Sequence, residues 1–198
     1  MNIGAMAAAL VVGVLLCGEA AAERSAESIV RDSCAKCHGM KGQSSDPTYP
    51  KLAGQNADYL TRQLANFRTG VRTGEEMPTR VANLTGGEMR ALALYFSSQT
   101  LTPEVAYDPA LAEAGRALYF AGNPDSGVTA CVSCHGPDGR GAMYLPRVAG
   151  QHARYIRKQI HAFLDQSRSS PDMVMHKVVE NITEAEIEAV AQFLSGLD

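Results

Sequence analysis

The chain has 198 residues and a formal net charge of −3 at pH 7, and 45% of its residues are hydrophobic. Neither half concentrates basic residues, so the composition argues against a nucleic-acid-binding protein. The length suits one domain or two small ones.

The first predicted element is an export signal over residues 1–22. Residues 3–18 are almost entirely apolar, and Ala20 and Ala22 form an Ala-x-Ala pattern typical of signal cleavage. An uncleaved membrane tether is the alternative, although the 16 apolar residues fall short of the roughly 20 that span a bilayer. Cleavage of the signal would remove Cys17 from the mature chain. We therefore expect an exported, periplasmic chain, and peripheral association with the membrane stays open.

Two copies of the pentapeptide Cys-x-x-Cys-His follow, 97 positions apart. Each supplies two thiols that can add to the vinyl groups of one porphyrin, and an imidazole that can bind its iron. Zinc ribbons and redox dithiols also use Cys-x-x-Cys, but a zinc ribbon needs two pairs close in sequence and a redox dithiol needs a βαβ context. We predict two covalently bound haem c groups, attached at Cys34, Cys37, Cys131 and Cys134, with His38 and His135 as iron ligands.

A Pro-x-(Leu/Val)-Ala-Gly-Gln segment follows each motif, at residues 50–55 and 146–151. An iron-bound imidazole needs an acceptor for its Nδ1 proton, and a proline in a stiff loop can present its carbonyl there. We predict that Pro50 and Pro146 do so; the alternative is that they are only turn prolines. Haem propionates could hydrogen-bond to Gln55, Gln151, Tyr59 and Tyr155, and helix capping or interface packing explains these four residues nearly as well.

The repeat continues to the end of both halves and reads as helical. Residues 59–67 match residues 155–163 at an offset of 96, and residues 84–89 match residues 182–187 at an offset of 98. Capping-box spacing is found at Thr85 and Glu88 and again at Thr183 and Glu186, followed by apolar residues at helical intervals. The fold class predicted is all-α, with two tandem domains.

The predicted domain organisation places the boundaries in a turn-rich stretch. The N-terminal domain covers residues 23–100, the linker 101–109 and the C-terminal domain 110–198. Asp108 and Pro109 suit the start of a helix, and Gly122 suits its end.

Met77 and Met175 each lie eight residues before the capping-box threonine of their half. This matched position and the polar loops around them favour iron ligation over the packing role usual for methionine. Met89 lies on an apolar helical stripe, and Met40 and Met143 follow their histidines too closely. Met173 and His176 are the rivals to Met175: the repeat favours Met175, but His176 could also bind the iron and would lower its potential. We predict that Met77 and Met175 are the sixth iron ligands.

These motifs resemble class I cytochrome c domains, and their tandem arrangement resembles the dihaem cytochrome c4 family over essentially the whole chain after residue 22. The resemblance implies two all-α domains with haem edges facing each other, and a periplasmic electron carrier serving a terminal oxidase or another respiratory partner. Class I domains pack a glycine and an aromatic residue of the first helix against the last. Gly115 and Tyr119 match this pattern, whereas the first half has Ala26 and Val30. His176 is a further departure, because the first half has Pro78 in that position.

Two irons with His and Met ligands would leave no open coordination position, so we predict electron transfer rather than catalysis. The expected donor is a cytochrome bc1-type complex or a dehydrogenase, and the expected acceptor is a terminal oxidase. The alternatives are a cytochrome subunit of a flavoprotein dehydrogenase, for example one that oxidises sulfide, and a dihaem peroxidase-type enzyme. Residues 23–105 carry a net charge of +1 and residues 106–198 carry −3, an asymmetry that could orient docking.

Overall fold

The computed structural model describes residues 23–104 and 108–198. The predicted export signal and residues 105–107 of the predicted linker lie outside the described residues. Within the described ranges the regular structure is helical, apart from two isolated β-bridges. No helix in these ranges is long and apolar enough to cross a membrane. The predicted all-α fold class is confirmed.

The two halves repeat one arrangement of helices. In the first half, α1 (Ala26–Ile29) passes through a π-helical turn (Val30–Cys34) into α2 (Ala35–His38), followed by α3 (Ala57–Thr69), α4 (Met77–Val81) and α5 (Gly86–Ser97). In the second half, α6 (Pro109–Ala121), α7 (Val132–His135) and α8 (Ala153–Leu164) precede a 3₁₀ turn (Pro171–Met173), α9 (Val174–Val179) and α10 (Glu184–Gly196). Each haem motif therefore ends a short helix.

The predicted helix starts are present because polar side chains bind the free amides of the first turn. Thr85 accepts a hydrogen bond from the Glu88 amide while the Glu88 carboxylate accepts one from the Thr85 amide, and the same reciprocal box opens α10. Asp108 caps α6 by accepting from the amides of Ala110 and Leu111. Gly122 ends α6 with a φ of 68°, a conformation that favours glycine.

Each half has its own apolar core, formed mainly by its terminal helix and its long middle helix. In the first core Met89 is only 1% exposed, as expected for a residue of the apolar stripe. The first core consists of Ile29, Val30, Leu60, Val81, Leu84, Met89, Leu92, Ala93 and Phe96. The second core consists of Leu118, Tyr119, Val128, Ile156, Ile160, Phe163, Val179, Ile187, Val190, Ala191 and Leu194.

The first and last helices of the second half cross in close contact at Gly115. A Cβ atom on Gly115 would lie 2.0 Å from the carbonyl oxygen of Ala189, so only glycine allows this approach. Tyr119, one turn further on, is fully buried, and its ring centroid lies 5.4 Å from that of Phe193. In the first half the fully buried Val30 occupies the π-helical turn instead. The contact between the first and last helices therefore differs between the two halves.

Candidate haem centres

One continuous cavity of about 1100 Å³ runs through both halves and reaches both motifs. The predicted attachment and ligand residues all line it: Cys34, Cys37, His38 and Met77 from the first half, and Cys131, Cys134, His135 and Met175 from the second. Apolar side chains of α3, α5, α8 and α10 form much of the remaining wall. The helices thus bring each motif and its matched methionine to the same space, although these residues lie some 40 positions apart in sequence.

Each motif histidine is buried and hydrogen-bonded to the proline of its own half. The Nδ1 atom of His38 lies 2.9 Å from the carbonyl oxygen of Pro50, and that of His135 lies 3.0 Å from the carbonyl oxygen of Pro146. Burial lowers the pKa of both imidazoles, partly offset by these hydrogen bonds. Both rings are therefore kept neutral, with Nδ1 bearing the proton and Nε2 free to bind a metal.

A glycine carbonyl holds each proline loop in place. The amides of Leu52 and Ala53 both donate to the carbonyl of Gly42, at 2.7 and 3.0 Å. Gly42 has a φ of 69°, and a Cβ there would lie 2.9 Å from the Ala53 nitrogen. The second half repeats this contact, since the amides after Pro146 donate to Gly139. These backbone hydrogen bonds orient the proline carbonyl towards the histidine, independently of any bound iron.

The methionines differ clearly in their surroundings. Met77 begins α4 and Met175 lies on α9, and both are partly buried against the core of their half. Met173 is 40% exposed and does not line the cavity. The ring of His176 packs edge-on against Phe163 and is also absent from the cavity wall. Exposed side chains are likewise found at Met40 and Met143. The geometry therefore favours the two methionines matched by the repeat.

Between the two motifs, the halves meet through equivalent residues around a local two-fold axis. Arg72 and Arg168, which are 96 positions apart, pair through an antiparallel β-bridge. The Arg72 guanidinium donates to the Tyr155 hydroxyl at 2.9 Å, and that of Arg168 donates to the Tyr59 hydroxyl at 2.6 Å. Sequence reasoning singled out the tyrosines but missed the arginines, although the constant offset of 96 was available as a signal.

Gln55 and Gln151 use their amide groups at the interface between the halves. Each binds the backbone of the opposite half, at Arg147 and Lys51 respectively. Each Oε1 atom also accepts from the amide of the next residue, Asn56 or His152, which is the N-cap residue of α3 or α8. The structure therefore shows an interface role for both glutamines together with a contact at the start of the following helix.

The cavity suits a haem group in its polarity as well as its lining. Buried Nε–H groups of Arg62 and Arg168 have no hydrogen-bond acceptor among the described residues. Both arginines line the cavity, so their free donors fit the carboxylates of haem propionates. The apolar walls fit the porphyrin ring. When bound, the haem supplies an iron whose oxidation state can change, while the chain holds the ligands and excludes water.

Two all-helical halves, each with an attachment motif, a proline-bound histidine and a share of one cavity, define a two-domain c-type cytochrome. The family model described as Cytochrome c matches residues 112–198, and the model described as Cytochrome C oxidase, cbb3-type, subunit III matches residues 21–96. The chain is 39% identical to cytochrome c4 of Thiocapsa roseopersicina over 178 residues, which cover 88% of this chain and 92% of that relative. The chain belongs to the cytochrome c4 family, and it carries two covalently bound haem c groups.

Two further comparisons bear on fold and function. The crystal structure of reduced recombinant cytochrome c4 from Pseudomonas stutzeri matches with a TM-score of 0.83 and 35% identity, covering 89% of this chain and all of that one. A thiosulfate dehydrogenase electron acceptor of Thiomonas intermedia (strain K12) is 38% identical over 169 residues, or 83% of this chain and 78% of the relative. The predicted family is confirmed, and the protein is an electron-transfer protein.

Proposed function

We propose that the protein is a periplasmic dihaem electron carrier that takes electrons from a cytochrome bc1-type complex or a dehydrogenase and delivers them to a terminal oxidase. In this proposal residues 1–22 direct export. His38 and Met77 bind one iron, and His135 and Met175 bind the other. These four side chains would hold the irons, and a bound haem would supply the one-electron redox chemistry of each centre.

The observation that carries this proposal is the pairing, in one cavity, of each neutral motif histidine with the methionine at the matched position of its half. If an imidazole and a thioether of the chain held each iron, no coordination position would remain for a substrate. The neutral thioether favours ferrous iron and raises the potential, and burial of the haem has the same effect. Rigid ligands limit the reorganisation that accompanies each electron.

Replacement of the methionines tests the ligand assignment. We expect Met77→Ala to abolish the methionine-to-iron charge-transfer band of one haem and to lower its potential, and Met175→Ala to do the same for the other haem. A spectroscopic redox titration of the wild type and both variants measures these changes.

Met40→Ala is the matched control, because Met40 follows a motif histidine but its side chain is exposed. This control is expected to leave both potentials and the band unchanged. If Met77→Ala or Met175→Ala also left them unchanged, the ligand assigned to that haem would be wrong.

A second candidate function is service to a dehydrogenase of sulfur compounds, as an electron-accepting partner or cytochrome subunit. The similarity to the Thiomonas intermedia protein supports this role. Affinity purification from the native host separates the alternatives: a stoichiometric dehydrogenase chain supports the subunit role, and recovery of the cytochrome alone supports the free carrier. A flavin in the co-purified chain would point to the sulfide-oxidising type.

A further inference from the structure

The peptide group after each haem-motif proline is bound at both ends. In the first half, the Pro50 carbonyl accepts from the His38 Nδ1 atom at 2.9 Å. The N–H of the same peptide belongs to Lys51, and it donates to the Oε1 atom of Gln151 at 2.8 Å. The Gln151 Nε2 group donates in turn to the Lys51 carbonyl at 2.9 Å. A side chain of the second half therefore hydrogen-bonds to the peptide group whose carbonyl binds the motif histidine of the first half.

The same contact is made in the opposite direction. The N–H of Arg147 donates to the Oε1 atom of Gln55 at 2.7 Å, and the Gln55 Nε2 group donates to the Arg147 carbonyl at 2.8 Å. The other end of this peptide is the Pro146 carbonyl, which binds His135. Gln55 and Gln151 are both buried, so water competes little for these hydrogen bonds.

A peptide group transmits a hydrogen bond from one end to the other, because its N–H and C=O share one polarisable π system. An acceptor on the N–H moves electron density onto the carbonyl oxygen and strengthens the hydrogen bond that the oxygen accepts. A stronger acceptor on Nδ1 makes an imidazole a more basic metal ligand. A more basic ligand stabilises ferric iron and lowers the potential.

We propose that Gln151 and Gln55 are positioning residues that act across the domain interface, each setting the basicity of the histidine in the opposite half. The inference rests on the proposed ligation of iron by His38 and His135. In this arrangement the reduction potential of each haem depends on a glutamine side chain from the opposite domain. The interface thus couples the two centres through the protein as well as holding the halves together.

The test is an NMR-monitored redox titration, in which assigned haem methyl signals report the two potentials separately. In Gln151→Met, an apolar variant of similar length, we expect the potential of the first-half haem to rise and that of the second-half haem to change less. In Gln55→Met we expect the reverse. General loosening of the interface would instead admit water and lower the potentials, so the direction of the shift separates tuning from structural damage.

Asn56→Ala is the matched control. The Asn56 side chain also crosses the interface, donating to the carbonyls of Arg140 and Leu145, but it does not bind the peptide that holds His135. This variant is expected to leave the difference between the two potentials unchanged. If Gln151→Met or Gln55→Met fails to fold, Gln151→Asn and Gln55→Asn replace them. The asparagine side chain stays polar, but it is too short to reach the backbone of the opposite half.

The proposal is overturned if either glutamine variant shifts its own half more than the opposite one, lowers the potential, or shifts neither haem. The charge-transfer band is recorded on the same samples. A wild-type protein without this band at either haem would contradict the ligand set, whereas intact bands without the crossed shifts would contradict only the coupling.

Discussion

The Glu88 carboxylate takes part in two features of the first half. It accepts from the amide of Thr85 to complete the capping box of α5, and it forms an ion pair with Arg24 at 2.8 Å. The hydrogen bond from Arg24 is the main cause that lowers the pKa of Glu88, to about 2. This one side chain therefore fastens the start of the described chain to the terminal helix.

Replacement of Glu88 by Gln should remove the charge while preserving the cap, because an amide oxygen can still accept from Thr85. Since folding lowers the Glu88 pKa from its ordinary 4.5 to about 2, its charge stabilises the protein above pH 4.5, and this contribution is lost as the pH falls towards 2. We expect wild type to be more stable than Glu88→Gln at pH 7 and the two to converge near pH 2.

Urea unfolding of both proteins across this pH range measures the effect. Asp58→Asn is the control, because the ion pair of Asp58 with Arg90 is exposed and such pairs contribute little. A stability difference between wild type and Glu88→Gln that stayed constant from pH 7 to pH 2 would show that the carboxylate charge is not its source.

The crossing of α6 and α10 depends on a glycine, whose lack of a side chain lets the two helices approach closely. An added methyl group at Gly115 would collide with the backbone of Ala189, which cannot rotate away as a side chain can. Because the haem-motif helix α7 follows directly after the loop that leaves α6, separating these helices would also disturb the haem site.

Gly115→Ala should therefore destabilise the protein by about 1–3 kcal/mol, the usual cost of overpacking a core. Gly86→Ala is the matched control: Gly86 also lies in a helix, but a Cβ there would meet nothing within 4 Å. We expect that control to be neutral or more stable by up to about 1 kcal/mol, because alanine favours helices over glycine. Thermal unfolding of the haem-loaded proteins measures both, and equal stabilities would contradict the assigned crossing.

Local signals in the sequence predicted much of this architecture. The capping boxes, the Asp108 cap and the Gly122 stop depend on contacts within a few residues, and the structure contains all of them. No local signal of this kind predicted the π-helical turn at Val30–Cys34. Periodicity alone cannot reveal that kind of irregularity.

The relation between the halves could not be predicted in the same way. Arg72 and Arg168 meet because the two domains associate around an approximate two-fold axis, which brings each residue close to its own repeat. The repeat showed that the halves share a fold but carried no information about which surfaces face each other. Gln55 and Gln151 were recognised as repeat members, and only the assembled structure shows that they bind the opposite backbone.

The two domains together form one cavity that contains both haem motifs. We propose that in both haems protein side chains occupy every coordination position of the iron that the porphyrin leaves open. The most direct measurement combines an electron paramagnetic resonance spectrum of the oxidised protein with a reductive titration. Two low-spin ferric signals and the uptake of two electrons per chain are the predicted result. A high-spin signal from either haem would contradict the claim, because it would reveal an open coordination position and favour a dihaem enzyme over an electron carrier.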